Sequence, residues 1–262
     1  MKQGKRGRIA LVIIAAGILL AYDGFAQTAP QENTGANANI VRWAKGAYEY
    51  RTISDRRYRG REEWNLFAYK DGTRTISMWT DLFALNSQTT SVFHIGSDGR
   101  PLDAYISLQR PTGFGGAAFF IVRQGGLSWT STGPNGPVAG SLDINGNFSI
   151  STGPLASDGW HGWYYDYAKG GEQPSQYVSI SAAPGQPIAA RMIDTKRTFL
   201  GEETLSLPAG TFKAKHFKTG QADTWLGTED GVVLKQVSAT SDREYVLIEY
   251  KTGPSPLGTL KP

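Results

Sequence analysis

Three Asp-Gly pairs, Asp71-Gly72, Asp98-Gly99 and Asp230-Gly231, punctuate a chain in which short runs of aromatic and β-branched residues succeed one another with no amphipathic stretch of helical length. Asp-Gly accepts the positive φ that tight hairpin turns demand. Runs bounded in this way are the pattern of antiparallel strands and not of helices joined by crossovers. The clearest hairpin joins residues 62–70 to 73–80. Further strands are read at 47–53, 90–95, 102–109, 117–123, 142–151, 177–180, 191–200, 203–207, 211–219, 232–238 and 243–251. Leu102, Ala104, Ile106 and Leu108 alternate with Asp103, Tyr105, Ser107 and Gln109, so that strand is half buried, whereas 117–122 is apolar on both faces. So many strands need closure or a second packed layer to hide their edges. The expected fold is therefore all-β, an antiparallel barrel or strongly curved sheets of lipocalin-like form, with long Gly-rich loops. The glycines and prolines of 112–157 are read as those loops, in turns and bulges. They do not form a phosphate loop, because no Lys-Ser or Lys-Thr follows them.

The first residues have another purpose. Lys2, Lys5, Arg6 and Arg8 precede an apolar stretch over 9–21, and Gly24-Phe25-Ala26 stands before Gln27. This is the layout of a cleavable export signal over 1–26, and the apolar run is shorter than the ~20 residues a spanning helix needs. The expectation is a periplasmic or secreted protein with no stable membrane anchor after cleavage. A polar linker follows over 27–39, then a single barrel-like domain over 40–262, in which Pro184-Gly185-Gln186-Pro187 is the one candidate for a lobe boundary. Four of the 27 Lys and Arg, and only Asp23 of the 23 Asp and Glu, lie in the signal. The remaining charges balance, giving no electrostatic reason to expect nucleic acid. The absence of cysteine excludes disulfides, a thiol nucleophile and thiolate metal ligands. Stability must come from a large core.

The densest chemistry lies in Asp158-Gly159-Trp160-His161-Gly162-Trp163-Tyr164-Tyr165-Asp166-Tyr167. Extended from Trp160 onward, it places His161, Trp163, Tyr165 and Tyr167 on one side and Trp160, Tyr164 and Asp166 on the other. Such a ribbon is either a core strand or the wall of a cavity in which rings stack on a flat apolar ligand. With a turn at Gly159, Asp158 also comes within reach of His161 as an acid/base pair. His216 shares its alternation face with Phe212 and Ala214 and is read as pointing inward. His94 is read as a turn residue at a strand end. Three histidines so dispersed, even with Asp103, Asp158 and Asp166, fit no metal-ligand spacing. Arg56, Arg57, Arg59 and Arg61, followed by Glu62 and Glu63, read as an exposed turn with local ion pairs, or as an arginine gate that would hold a ligand carboxylate or phosphate. No Gly-x-Ser-x-Gly elbow is present.

The C-terminal third carries a resemblance. Gly201-Glu202-Glu203-Thr204-Leu205-Ser206-Leu207-Pro208-Ala209-Gly210-Thr211-Phe212, then Thr224-Trp225-Leu226 and Tyr245-Val246-Leu247-Ile248-Glu249-Tyr250, resembles an uncharacterised family of exported bacterial β-barrel-like proteins with a Pro-Ala-Gly-x-Phe turn. Asp71-Gly72-Thr73-Arg74-Thr75, Pro101-Leu102-Asp103-Ala104-Tyr105 and Asp158-Gly159-Trp160-His161 resemble its longer members. The resemblance implies a lipocalin-like or half-barrel fold in the cell envelope and brings no catalytic residues with it.

The function expected is retention of an apolar or aromatic small molecule, or a lipid, inside a barrel without a cofactor. Trp64, Trp79, Trp129, Trp160, Trp163, Trp225, Tyr164 and His216 are the candidate lining, and Arg59 and Arg61 the candidate gate. The alternatives are a cofactor-independent isomerase, cyclase or lyase using His161 with Asp158 and Tyr165, and an envelope assembly factor acting through an exposed sheet face.

Overall fold

The computed structural model describes residues 39–110, 115–133, 135–182 and 185–254. The expected export signal, all of the expected linker but Asn39, and Gly113, Pro134 and Pro184 lie outside the described residues. The strands are β1 (Ile40–Arg51), β2 (Tyr58–Tyr69), β3 (Arg74–Leu82), β4 (Ser87–Ile95), β5 (Pro101–Gln109), β6 (Gly116–Arg123), β7 (Gly126–Gly133), β8 (Gly136–Asp143), β9 (Ser149–Ser151), β10 (Glu172–Ser181), β11 (Ala189–Leu207), β12 (Gly210–Thr219), β13 (Ala222–Gly227), β14 (Val233–Ser238) and β15 (Arg243–Gly253). They form a 15-stranded sheet in the order β8-β7-β6-β5-β4-β3-β2-β1-β15-β14-β13-β12-β11-β10-β9. Neighbours are antiparallel except β9 with β10. The sheet is strongly curved and does not close, so β8 and β9 are left as its two edges.

The Asp-Gly turns behave as their chemistry demands, with φ of +86° at Gly72, +77° at Gly99 and +67° at Gly231. Pro208 and Ala209 are the two-residue link of the β11–β12 hairpin, in which Leu207 pairs with Gly210. β10 and β11, which flank the expected lobe boundary, pair directly, with Ser181 opposite Ala189.

Two expectations fail for physical reasons. Residues 126–133 and 136–141, read as loop, lie in the β7–β8 hairpin, and the strand expected over 142–151 is instead the end of β8 followed by β9. Gly140 is a packing device: a Cβ there would sit 2.2 Å from the Trp129 ring that lies over it. The second failure decides the architecture. The aromatic stretch after Asp158 is no strand but a 3₁₀ segment, Ala156–Gly162, closed by i→i+3 bonds such as Asp158 N–H to Leu155 O at 2.9 Å and Trp163 N–H to Trp160 O at 3.1 Å. Gly159 makes this possible, because a Cβ there would meet Gly231 O at 1.9 Å.

This segment fills the curve of the sheet and ties its two halves together. From the β2–β4 side, Phe93 packs on Trp160 with ring centroids 5.2 Å apart, and Ser91 accepts a hydrogen bond from Thr152. From the other side, Tyr165 packs edge-on against Phe217 at 5.4 Å, and Trp160 Nε1–H donates to Asp230 O at 3.1 Å. Arg42 grips Asp230 through two nitrogens, at 2.9 and 3.0 Å. Trp160 is 1 % exposed. The interior imagined as a cavity is therefore occupied by the chain itself.

Glu62 anchors the entry of the segment. Read from sequence as part of a charged turn, it is instead fully buried. It accepts hydrogen bonds from Leu155 N–H at 2.6 Å, Ala156 N–H at 2.8 Å and the Tyr50 hydroxyl, so it satisfies amides that a helical start leaves open. Burial raises its carboxyl from 4.5 to about 7 against the pull of those donors.

Because the folded pKa lies above the unfolded one, the folded chain retains a proton that the unfolded chain releases. The associated stability is complete below about pH 4.5 and is lost as pH rises through 7. At ~1.4 kcal/mol per unit this amounts to about 3 kcal/mol. Urea unfolding across that interval is expected to show the loss in the wild type and its disappearance in Glu62→Gln; parallel pH profiles would exclude this role. Gly159→Ala is expected to lower unfolding free energy by at least ~2 kcal/mol, measurable in the same assay.

Candidate functional site

In a 3₁₀ segment residues three apart eclipse one another, which brings Asp158 and His161 together without any strand. His161 Nε2 lies 3.4 Å from Asp158 Oδ1, near enough for charge attraction but too poorly angled for a hydrogen bond. Nδ1 of the same ring is hydrogen-bonded to Ser149 Oγ in β9. The ring stacks on Tyr177 of β10, with centroids 4.6 Å apart and planes 21° apart. Both ring nitrogens thus face protein oxygens, and Ser149 is itself buried.

Beside this cluster an open cleft of about 650 Å³ runs between the segment and the β10–β11 hairpin. His161, Tyr164 and Tyr165 line one side of it, and Gln173 and Arg197 line the other. Burial raises the Tyr164 phenol to about 12, so it remains a hydroxyl at neutral pH. Tyr165 donates to Gly171 O at 2.6 Å. Gln173 donates to Asp166 O at 2.7 Å and Gly170 O at 3.0 Å, and accepts from Asp166 N–H at 3.1 Å. The 165–171 loop is thereby held as one rim of the cleft.

Arg197 is the anomaly. It is 5 % exposed, rests 5.5 Å over the Phe217 ring and donates from Nε to Thr219 Oγ1 at 3.1 Å. Among the described residues no carboxylate comes within 4.0 Å of it, and Nη1 has no hydrogen-bond partner. Burial pulls the guanidinium down to about 10, with Asp158 opposing through space. The sequence carried a signal for this residue: Ile193, Thr195, Arg197 and Phe199 alternate with Asp194, Lys196 and Thr198, leaving one cation on the apolar face.

The structure brings His161, Tyr164 and Tyr165 together on the cleft and disperses the other candidates. Trp160 and Trp64 are core residues, each 1 % exposed. Trp163 lies under Arg74, 4.8 Å from its ring centroid, on a smaller cavity. Trp129 stacks on Phe120, and Trp79 is 39 % exposed on the outer face. His216 shares its strand face with Ala214, as alternation required; that face holds the fully buried Ala214 but lies opposite the one on which Lys215 and Phe217 meet the segment. Its ring stacks on Trp225 at 4.2 Å and reaches Glu203 at 3.2 Å and Asp223 at 3.0 Å. His94 is a strand residue bonded to Asp103 across β4–β5, not a turn residue. Arg61 pairs outside with Glu63 and Glu249, Arg56 pairs with Glu244, and Arg59 lines a separate small cavity with Asp158. Among the described residues no three acidic or histidine side chains are placed to share a metal ion.

No protein-family profile matches the chain, and no curated protein matches it in sequence. Among solved structures it is similar to a β-barrel-like protein of the domain of unknown function DUF1849 from Brucella abortus, at 9 % identity and a TM-score of 0.46, covering 82 % of this chain and 98 % of that one. It is also similar to a DUF1089 family protein from Pseudomonas aeruginosa, at 14 % identity and a TM-score of 0.42, covering 66 % of this chain and 87 % of that one.

A buried, unpaired cation costs more than an apolar side chain of the same volume. Arg197→Met is therefore expected to raise the unfolding free energy of the ligand-free protein by about 1–4 kcal/mol in urea titration. A loss of stability would mean that the guanidinium is structural.

Proposed function

We propose that this is an exported envelope protein, periplasmic or secreted, that holds a small molecule with an apolar or aromatic body, or a lipid chain, in the cleft beside the 3₁₀ segment. The observation that carries the reading is the cleft itself: about 650 Å³, open to solvent and lined by Tyr164, Tyr165 and His161. That volume lies within the ~300–1,000 Å³ usual for small-molecule sites. Rings offer an apolar face together with a hydroxyl or ring N–H at the edge, a combination suited to orienting a flat ligand. The rigid hydrogen bonding of Gln173 and Tyr165 keeps the rim formed before any ligand arrives, which lowers the ordering cost of binding.

His161 contributes as a positioned ring more than as a proton carrier. Ser149 occupies Nδ1, and Nε2 is directed at Asp158. A general base must lie within reach of the proton it removes, and this geometry offers the cleft no free ring nitrogen. Binding is thus better supported than turnover.

Intrinsic tryptophan fluorescence titrated with hydrophobic ligands is expected to change saturably, and Tyr164→Ala to weaken binding about tenfold through lost apolar contact. An unresponsive wild type across a broad panel of aromatic and acyl compounds would remove the proposal. Export is tested separately by N-terminal sequencing of the protein recovered from periplasm and medium, with a mature start at Gln27 expected.

A further inference from the structure

We infer that the ligand of this cleft is an amphipathic carboxylate, a fatty or aromatic acid whose head group is taken by Arg197; the inference rests on the binding reading above. A guanidinium presents donors in a fixed fork that matches a carboxylate. In this protein it stands on the cleft wall, 5 % exposed, with Nη1 unpartnered and no carboxylate within 4.0 Å among the described residues. A buried charge left in this state costs several kcal/mol, a cost that an acidic ligand would offset by supplying the missing partner.

The surroundings favour the same sign of ligand charge. Arg74 and Lys215 also flank the segment, resting 4.8 Å over Trp163 and 4.5 Å over Tyr167. Neither pairs with a carboxylate among the described residues, and Arg74 Nε is buried without a partner. Three cations held on aromatic faces thus surround one segment, each lacking a close anion. Four acidic groups face the same region: Glu229 and Asp230 line the small cavity that holds Arg74 and Lys215, but both pair with Arg42. Asp158 acts on Arg197 through space but is directed at His161, and Asp194 is exposed at the cleft rim, where water and salt screen it. The cleft's other cation, Lys196, is already paired with Glu172 at 2.7 Å. The tyrosine side of the cleft suits the apolar body of such a ligand, and the guanidinium side suits its head.

The test uses matched probes on the mature protein: dodecanoic acid, dodecanol and methyl dodecanoate, with 2-naphthoic acid and 2-naphthol as the aromatic pair, titrated by calorimetry. The acids are expected to bind at least ~30-fold more tightly than the neutral partners, the range in which removing one member of a buried charge pair falls. Arg197→Met is expected to abolish that discrimination while leaving the affinity for dodecanol and 2-naphthol within about threefold. Arg197→Lys should restore part of it, because charge returns without the fork. The Tm of each variant establishes that it is folded. Equal affinity for acids and neutral partners in the wild type, or discrimination that survives in Arg197→Met, overturns the inference and leaves the cleft a neutral binder. Failure of every probe to bind the wild type overturns the cleft reading as well.

Discussion

A sheet that curves without closing has a concave face to fill, and here a loop of the same chain fills it. That arrangement depends on the bond between the Glu62 carboxyl and the Leu155 and Ala156 amides. A lipocalin-like barrel closes by pairing its last strand with its first. In this protein β1 and β15, the two ends of the described chain, pair in the middle of the sheet, and the edges fall to β8 and β9. The two halves therefore need a mediator. The 3₁₀ segment supplies it, with Phe93 on one side of Trp160 and Asp230 on the other. Remove the buried acceptor at Glu62 and two amides lose their partners inside an apolar core, a penalty of about 1–3 kcal/mol for each.

The strands were legible because their signals are local. Asp-Gly marks turns through φ, and alternation marks faces, so residues 102–109 were placed nearly as observed, with Ala104, Ile106 and Leu108 inward. Leu102 escapes the pattern at 42 % exposed, beside the register shift between His94 and Ile95. What could not be read locally depends on partners distant in sequence. Glycine was taken for looseness in 126–141, where Gly140 is space for the Trp129 ring. Residues 158–167 have strand-forming composition, yet 158–162 lie in the 3₁₀ segment, where Gly231 approaches Gly159 too closely for any side chain there. His216 illustrates the remaining limit: alternation correctly grouped it with the buried Ala214, but which face of a strand meets the segment is decided by neighbouring strands.

The same distinction separates the candidate site from the aromatic inventory. Most indoles proposed as lining are spent on structure, as Trp64 and Trp160 show. The residues that make the cleft unusual are polar: Arg197, Gln173 and Ser149, buried among rings. Gln173 and Ser149 are accounted for by bonds to the 166–170 loop and to His161. Arg197 is not, and an unsatisfied charge is the feature that core packing alone has no reason to keep.

The position of the cleft follows from the open architecture. In a closed barrel β9 would pair on both sides and the rings of the segment would be sealed beneath it. Here β9 is three residues long and, among the described residues, pairs only with β10, so the sheet stops just where His161 reaches it. Short edge strands are a familiar defence against edge-to-edge aggregation. In this fold the shortness has a second effect, since it leaves the end of the segment, Tyr164 and the β10–β11 hairpin facing solvent across a gap. The edge that completing the barrel would have covered thus becomes the entrance to the cleft of about 650 Å³ beside the segment.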